Sequence, residues 1–506
     1  MRTVFVLMDS LNRRAMECYG GQWAKTPNFK RFAKRAVTFD NHYTGSLPCM
    51  PARRELHTGR LNFLHRSWGP MEPFDDSAPE ILKKRGVYSH LITDHYHYFE
   101  DGGWSYHTRF SSWENMRGQE WDPWKGVVDW PLDEWRKTYH HFAHGETDRA
   151  KRWRHIANRQ FIREEKDFPA VQCFQHGIEF LERNKDADDW LLQIETFSPH
   201  EPFIVPQRFR DNYPTDYQGP ILDWPRYKRV EETPEQIAEI RANYAAMMTM
   251  CDHYFGKVLD FFDTHDLWKD TALVLSTDHG FMLSEHEWWG KNRMPYYDEI
   301  AHIPLMVFHP DFADHGGERR ASLTQTIDLM ATMLDFHGEA EIPPDVEGRT
   351  IRPVLADDTP IRDAGLYGMF GGPLNITDGR YTYFRYPIDV QDQEIYEYTL
   401  MPAHQGSLFK LNEFEGAELT RQFGFSKGVP ILKLPARNDA ERPPVQGGGI
   451  EDCDNVLYDL QTDPGQTMPI DSPAIEQRLL KRMVELMQEN EAPPEAYRRF
   501  GLEEYL

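Results

Sequence analysis

Apolar positions along the chain fall into two rhythms. Short runs at Val4–Met8, Val87–Thr93, Trp190–Glu195 and Thr271–Thr277 predict strands, and the unbroken run Val4–Met8 is the kind buried in a parallel sheet. Longer stretches repeat every three or four residues and predict helices. Thr26-Pro27 opens one as N-cap and first-turn proline, with Phe29, Phe32, Ala33 and Ala36 on its apolar face. Ala78 to Arg85 forms another and Gly86 ends it. Thr233-Pro234-Glu235-Gln236 is a capping box, opening a helix that carries Ile237, Ile240, Tyr244, Met248, Cys251, Phe255 and Val258. Thr326 to Phe336 is amphipathic with a stop at Gly338. Further on, Asp378-Gly379 between strand-like residues signals a hairpin, Leu457–Leu460 follows, and a last helix is predicted near Pro473 to Gln488.

Two segments resist this reading. Residues 102–168 are dense in tryptophan and charge without a regular period, and fit either a pocket wall or lid, or the packing of a long insertion. Pro444 to Ile450, with Gly447-Gly448-Gly449, reads as a flexible loop without the strand-turn-helix setting of a phosphate-binding loop.

At 506 residues, with 40% hydrophobic and 13% aromatic content, the chain can bury a large core and hold more than one domain. A net charge of -24 speaks against a general nucleic-acid or anionic-membrane binder, so an anionic substrate needs a locally positive site. No stretch approaches the roughly 20 apolar residues of a membrane span, and Met1-Arg2-Thr3 leads straight into a strand; the expectation is a cytoplasmic protein. Cys18, Cys49, Cys173, Cys251 and Cys453 are scattered, odd in number and without C-x-x-C spacing, which fits neither a disulfide framework nor a zinc cluster.

Chemistry gathers where predicted strands end. Asp9 follows the first strand at its carboxyl end, where open α/β sheets place ligands, and Asp278-His279-Gly280 follows the strand from Thr271. In Leu47-Pro48-Cys49-Met50-Pro51-Ala52-Arg53-Arg54, the prolines place Cys49 at a helix N-terminus, with the helix running to Thr58 and Gly59. Arg53 lies on the same face, so a nucleophile, a guanidinium and a helix N-terminus converge as they would on a tetrahedral oxyanion. Asp9, Asp278, His279 and the residue-49 side chain together make a divalent-metal donor set. His200, in the proline-flanked loop Ser198-Pro199-His200-Glu201-Pro202, is chemically a reasonable general acid. Alone, each of these residues is as easily a core cysteine or a hydrogen-bonded loop histidine.

Cys49-Met50-Pro51-Ala52-Arg53 matches C-x-P-x-R and resembles the type I sulfatases of the alkaline phosphatase superfamily. The resemblance extends in matching order through Asp9, Thr26-Pro27-Asn28-Phe29, Asp94-His95-Tyr96-His97, Ser198-Pro199-His200, Asp278-His279-Gly280, Trp289-Gly290-Lys291 and Ile303-Pro304-Leu305. It is weak over 102–168 and 390–449. It implies an α/β fold with a large, mostly parallel central sheet flanked by helices, and a smaller C-terminal α+β subdomain with an antiparallel sheet. The expected division is 1–365 and 366–506.

The resemblance also implies a site. Cys49 is oxidised to formylglycine, whose hydrate attacks sulfur in line. Arg53 and Lys291 stabilise charge, His200 assists departure of the alcohol, and His95, His97, His200 and Lys291 hold the substrate. One divalent metal is expected on Asp9, Cys49, Asp278 and His279. Calcium is the family's usual ion, and the His279 nitrogen makes manganese acceptable. Ser10 stands where the family has a second acid and would ligate weakly. Met50 stands where the family usually has a small residue, and His95 where it has lysine. The expected partners are a small anionic ester and a formylglycine-generating enzyme, with no nucleic acid, no membrane and room for a homo-oligomer. His279 keeps a phosphonate monoester or phosphodiester hydrolase open as an alternative, and a non-catalytic binder of sulfated ligands is the other.

Overall fold

The computed structural model describes residues 1–144, 150–293, 295–338, 341–390, 392–404, 406–436 and 454–506. The loop expected at 444–450 and Cys453 lie outside the described residues. The other four cysteines are free thiols.

Eight strands form the central sheet: β1 (Arg2–Met8), β2 (Val37–Phe39), β3 (Tyr88–Thr93), β4 (Ser112–Asn115), β5 (Trp190–Thr196), β6 (Thr271–Thr277), β7 (Leu305–Phe308) and β8 (Arg319–Arg320). Their order is β8-β2-β7-β6-β1-β5-β3-β4. Only β7 runs against its neighbours, so the mostly parallel sheet implied by the resemblance is present. Every residue of β1, β5 and β6 is buried. Their near-continuous apolar character follows, because helices cover both faces. One face packs on the helices Pro27–Ala33, Pro169–Asn184 and Pro234–Thr264, through Phe29, Phe174, Tyr244 and Phe255. The other packs on Ile327–Phe336 and Ala78–Lys84, through Leu329, Met330 and Leu82.

Register positions the site. Met8 pairs with Thr196 on one side and with Thr277 on the other. The three central strands therefore end level, and Asp9, Phe197 and Asp278 are the first residues beyond a common edge. Thr93 pairs with Glu195, which brings the start of the Asp94–His97 loop to the same edge.

A second sheet is antiparallel across Gly365–Met369, Leu374–Thr377, Tyr381–Arg385 and Val456–Asp459, with Pro473–Glu489 packed against it. Its fifth strand, Ser46–Leu47, comes from just before Cys49 and pairs in parallel with Gly365–Met369. The chain entering the Cys49 helix is thus clamped to this sheet, a link absent from the residue pattern.

The capping box at Thr233 forms as expected, with Gln236 returning to the Thr233 backbone. Thr26 does not cap with its side chain; its hydroxyl accepts from Glu17 N at 2.9 Å instead. That helix ends at Ala33, so Ala36 is buried beyond it, in the turn into β2. The 102–168 segment supplies edge strand β4 and its own hydrophobic cluster of Trp135, Tyr139, Trp153 and Ile156. Among the described residues, no helix is long and apolar enough to cross a membrane.

Candidate active site

The helix Cys49–Thr58 starts at the expected residue and ends at Gly59, whose φ of +63° suits glycine. It delivers Cys49 to the level edge of β1, β5 and β6. Cys49 Sγ lies 3.2 Å from His279 Nε2, 3.3 Å from Lys291 Nζ and 3.9 Å from Asp9 Oδ1. Asp9, Cys49, Asp278 and His279 each offer a ligand atom within 4.8 Å of the others, and all four are buried.

Several features suit a cation here. His279 Nδ1 hydrogen-bonds the carbonyl of Gly280 at 2.9 Å; because a carbonyl only accepts, Nδ1 carries the proton and Nε2 presents a lone pair toward Cys49. Burial lowers the His279 pKa, which keeps that lone pair available. Asp9 Oδ2 is buried and accepts no hydrogen bond among the described residues, although Arg53 Nη2 is 3.0 Å away. A metal-ligand geometry would use such an orphaned oxygen. Gly280 allows a close approach: a Cβ there would meet the Glu299 carbonyl oxygen at 1.9 Å.

Arg53 is fully enclosed. Its guanidinium contacts Glu195 at 2.6 Å, Asp278 at 2.5 Å and Asp9 at 3.0 Å, and donates to the Cys49 carbonyl at 3.1 Å. Burial opposes ionisation of Asp9, but Lys291 and Arg53 outweigh it and hold this carboxyl well below the usual range. Burial and Asp9 push Cys49 well up, so the unmodified side chain is a thiol. Lys291 donates to Ser10 Oγ at 3.0 Å and stays charged despite burial, with the ionised Asp9 3.6 Å away. The Ser10 hydroxyl donates in turn to Asp9 Oδ1 at 2.7 Å and so ties Asp9 to the lysine.

The two histidines of the 94–97 loop divide in character. His95 is fully buried 3.5 Å from Asp9 Oδ2, with its pKa depressed by burial and by Arg53. His97 is buried too, but Glu100 at 2.7 Å and Glu120 at 3.4 Å overcome burial and raise its pKa. His97, not His95, is therefore the cation of the pair. His200 Nδ1 hydrogen-bonds the Glu201 carbonyl at 2.6 Å, which fixes the ring and leaves Nε2 as the atom available.

Three acids at the site carry no role in the sequence reading. Glu195 is the one charged residue in the fully buried strand Trp190–Thr196; a charge in such a run requires a partner, and that was its signal. Glu201 follows His200 directly. Glu120 comes from the aperiodic 102–168 segment, where nothing in the local pattern marks it.

Residues 2–339 match the family described as Sulfatase, and residues 284–422 match the family N-sulphoglucosamine sulphohydrolase, C-terminal. The chain belongs to the type I sulfatases, sulfuric ester hydrolases of the alkaline phosphatase superfamily. An N-acetylglucosamine-6-O-sulfatase of Bacteroides thetaiotaomicron is 23% identical over 478 residues, covering 81% of this chain and 83% of that protein. A choline-sulfatase of Rhizobium meliloti is 25% identical over 377 residues, covering 70% and 71%. Among solved structures, one in complex with its substrate D-glucosamine-2-N,6-O-disulfate aligns with a TM-score of 0.65 at 16% identity, over 97% of this chain and 98% of that one. A phosphonate monoester hydrolase from Silicibacter pomeroyi aligns with a TM-score of 0.63 at 18% identity, over 97% and 95%. These structures share the fold.

Proposed function

We propose that the protein hydrolyses a sulfate monoester, with residue 49 oxidised to formylglycine by a maturation enzyme and serving as nucleophile. One divalent cation would be held by Asp9, Asp278, His279 and residue 49. The observation that carries this reading is the convergence on Cys49 of His279 Nε2, Lys291 Nζ and the Asp9 carboxylate at a helix N-terminus. When bound, the cation supplies Lewis-acid polarisation of a sulfate oxygen; the two carboxylates suit calcium, and the imidazole extends the choice to manganese.

The chain's own residues divide the remaining work. Lys291 and His97 are the cations that meet the sulfate oxygens. Arg53 is ion-paired with Asp9, Glu195 and Asp278, so it holds Asp9 and Asp278 in place beside residue 49. His200 is neutral in the free site, since burial and Lys291 depress its pKa. A bound sulfate ester places negative charge nearby and draws a proton onto Nε2, from which it passes to the departing alcohol oxygen.

A phosphonate monoester hydrolase is the second reading, favoured by His279 and by the phosphonate hydrolase among the structural neighbours. Matched sulfate and phosphonate esters, assayed on enzyme matured with a formylglycine-generating activity, separate the two. Mass spectrometry of the Cys49 peptide should show the aldehyde. Cys49→Ala should stay folded and lose turnover by orders of magnitude. Near-normal turnover of that folded variant would falsify the mechanism.

A further inference from the structure

Phe197 is the first residue beyond β5, and it is fully buried. A buried phenylalanine ordinarily joins the hydrophobic core, yet this one takes no part in the apolar clusters of the described residues. Its ring lies among the imidazoles of the site instead. The ring centroid is 4.2 Å from that of His200, with the two planes inclined at 60°. It is 4.8 Å from His95 and 6.1 Å from His97, and Tyr96 stacks on it at 6.3 Å. One side chain thus separates the loop that meets the sulfate from the loop that meets the leaving oxygen.

The backbone holds this ring in place. Phe197 N donates to Asp94 Oδ1 at 2.5 Å, which ties it to the start of the 94–97 loop. Its carbonyl accepts from His200 N at 2.9 Å and closes a four-residue turn. Thr196 Oγ1 braces the turn by donating to the Ser198 carbonyl at 2.9 Å. The turn brings the His200 ring back onto the Phe197 ring. His200 Nδ1 is anchored on the Glu201 carbonyl at 2.6 Å, but Glu120 Oε1, 4.0 Å from Nε2, is too far to aim that end of the ring by a hydrogen bond. Packing has to set the plane of the imidazole. A phenyl ring has few rotatable bonds and a flat face, so it fixes the tilt of a neighbouring ring, where a branched aliphatic side chain fixes only a distance.

We propose that Phe197 is a positioning residue for the leaving-group step: its ring sets the plane of His200 so that Nε2 points at the ester oxygen while His97 holds the sulfate. This rests on the sulfatase reading above. A proton donor acts only from within hydrogen-bond reach of its acceptor, and a misplacement of about 1 Å costs on the order of a hundredfold in rate. The same ring borders His97 and His200, so it also fixes the span between the two ends of the scissile bond.

The test compares propyl sulfate, whose alcohol needs a proton to leave, with 4-nitrophenyl sulfate, whose phenolate needs little. The ratio of their kcat values does not depend on how much of a preparation is folded. In Phe197→Leu the propyl-to-nitrophenyl ratio should fall about tenfold or more, with KM for each ester little changed. Phe197→Tyr, which keeps the ring, should restore the ratio. In a His200→Ala background, Phe197→Leu should add nothing to the loss that His200→Ala causes alone. An unchanged ratio in Phe197→Leu, or a further loss of the same size in the His200→Ala background, would overturn the proposal and leave the sulfatase reading intact. Imidazole NMR reads the orientation without turnover. The Nδ1 proton shared with the Glu201 carbonyl should give a slowly exchanging signal that is absent in His200→Ala, lost in Phe197→Leu and kept in Phe197→Tyr. That pattern in a protein that hydrolyses no sulfate ester would remove the sulfatase reading and leave Phe197 as the residue that orients His200. A signal that survives unmoved in Phe197→Leu would sink the proposal.

Discussion

Replacing Arg53 by alanine tests how the site is held together. Three buried carboxylates, Asp9, Glu195 and Asp278, lie between 2.5 and 3.0 Å from this one guanidinium. At an effective dielectric near 20, each contact is worth about 5–7 kcal/mol of gross attraction. Desolvation offsets most of that, and breaking a buried pair typically costs about 3–5 kcal/mol because charge is left uncompensated. Arg53→Ala should therefore destabilise the metal-free protein by about 3–5 kcal/mol. A divalent cation should recover part of the loss, since the carboxylates then have another counter-charge. Turnover should fall by about a hundredfold or more even with metal, as the ligands lose their fixed positions. Thermal unfolding with and without chelator, beside steady-state kinetics, reads both effects. An Arg53→Ala protein that melts like wild type under chelation would refute the assignment of Arg53 as the clamp.

Asp278→Asn should lower metal content and activity together, measured by elemental analysis and turnover; full occupancy with normal rates would exclude Asp278 as a ligand. His200→Ala should harm esters of poor leaving groups more than nitrophenyl esters, which need little protonation, whereas equal losses would point to binding alone. Asp94, buried and accepting from Phe197 N and Gln119, has its carboxyl pushed up to about 7 by burial. The folded state therefore holds this proton more tightly than the unfolded one, and the resulting stability is present below about pH 4 and lost as pH rises through about 7. Asp94→Asn should flatten that part of the stability profile in pH-dependent melts; an unchanged slope would remove Asp94 as its source.

The residue pattern by itself determined the central strands and most of the helices; the mostly parallel sheet was what the family resemblance implied. The strands and helices follow from local rules: apolar runs, a capping box at Thr233, a glycine stop at Gly59. It also marked Asp9, Cys49, Asp278 and His279, because each sits beside a strand end or a helix start that chain-local signals define. Tertiary structure decided what these residues meet. The shared register of Met8, Thr196 and Thr277 makes three strands end level, and only then do Asp9 and Asp278 face one helix N-terminus. The same packing surrounds Arg53 with three carboxylates from three strands, and makes His97 rather than His95 the charged histidine through Glu100 and Glu120. Glu120 is the clearest case. It lies in a segment with no period, and its importance comes from a contact with His200 across 80 residues of chain, which no local pattern encodes.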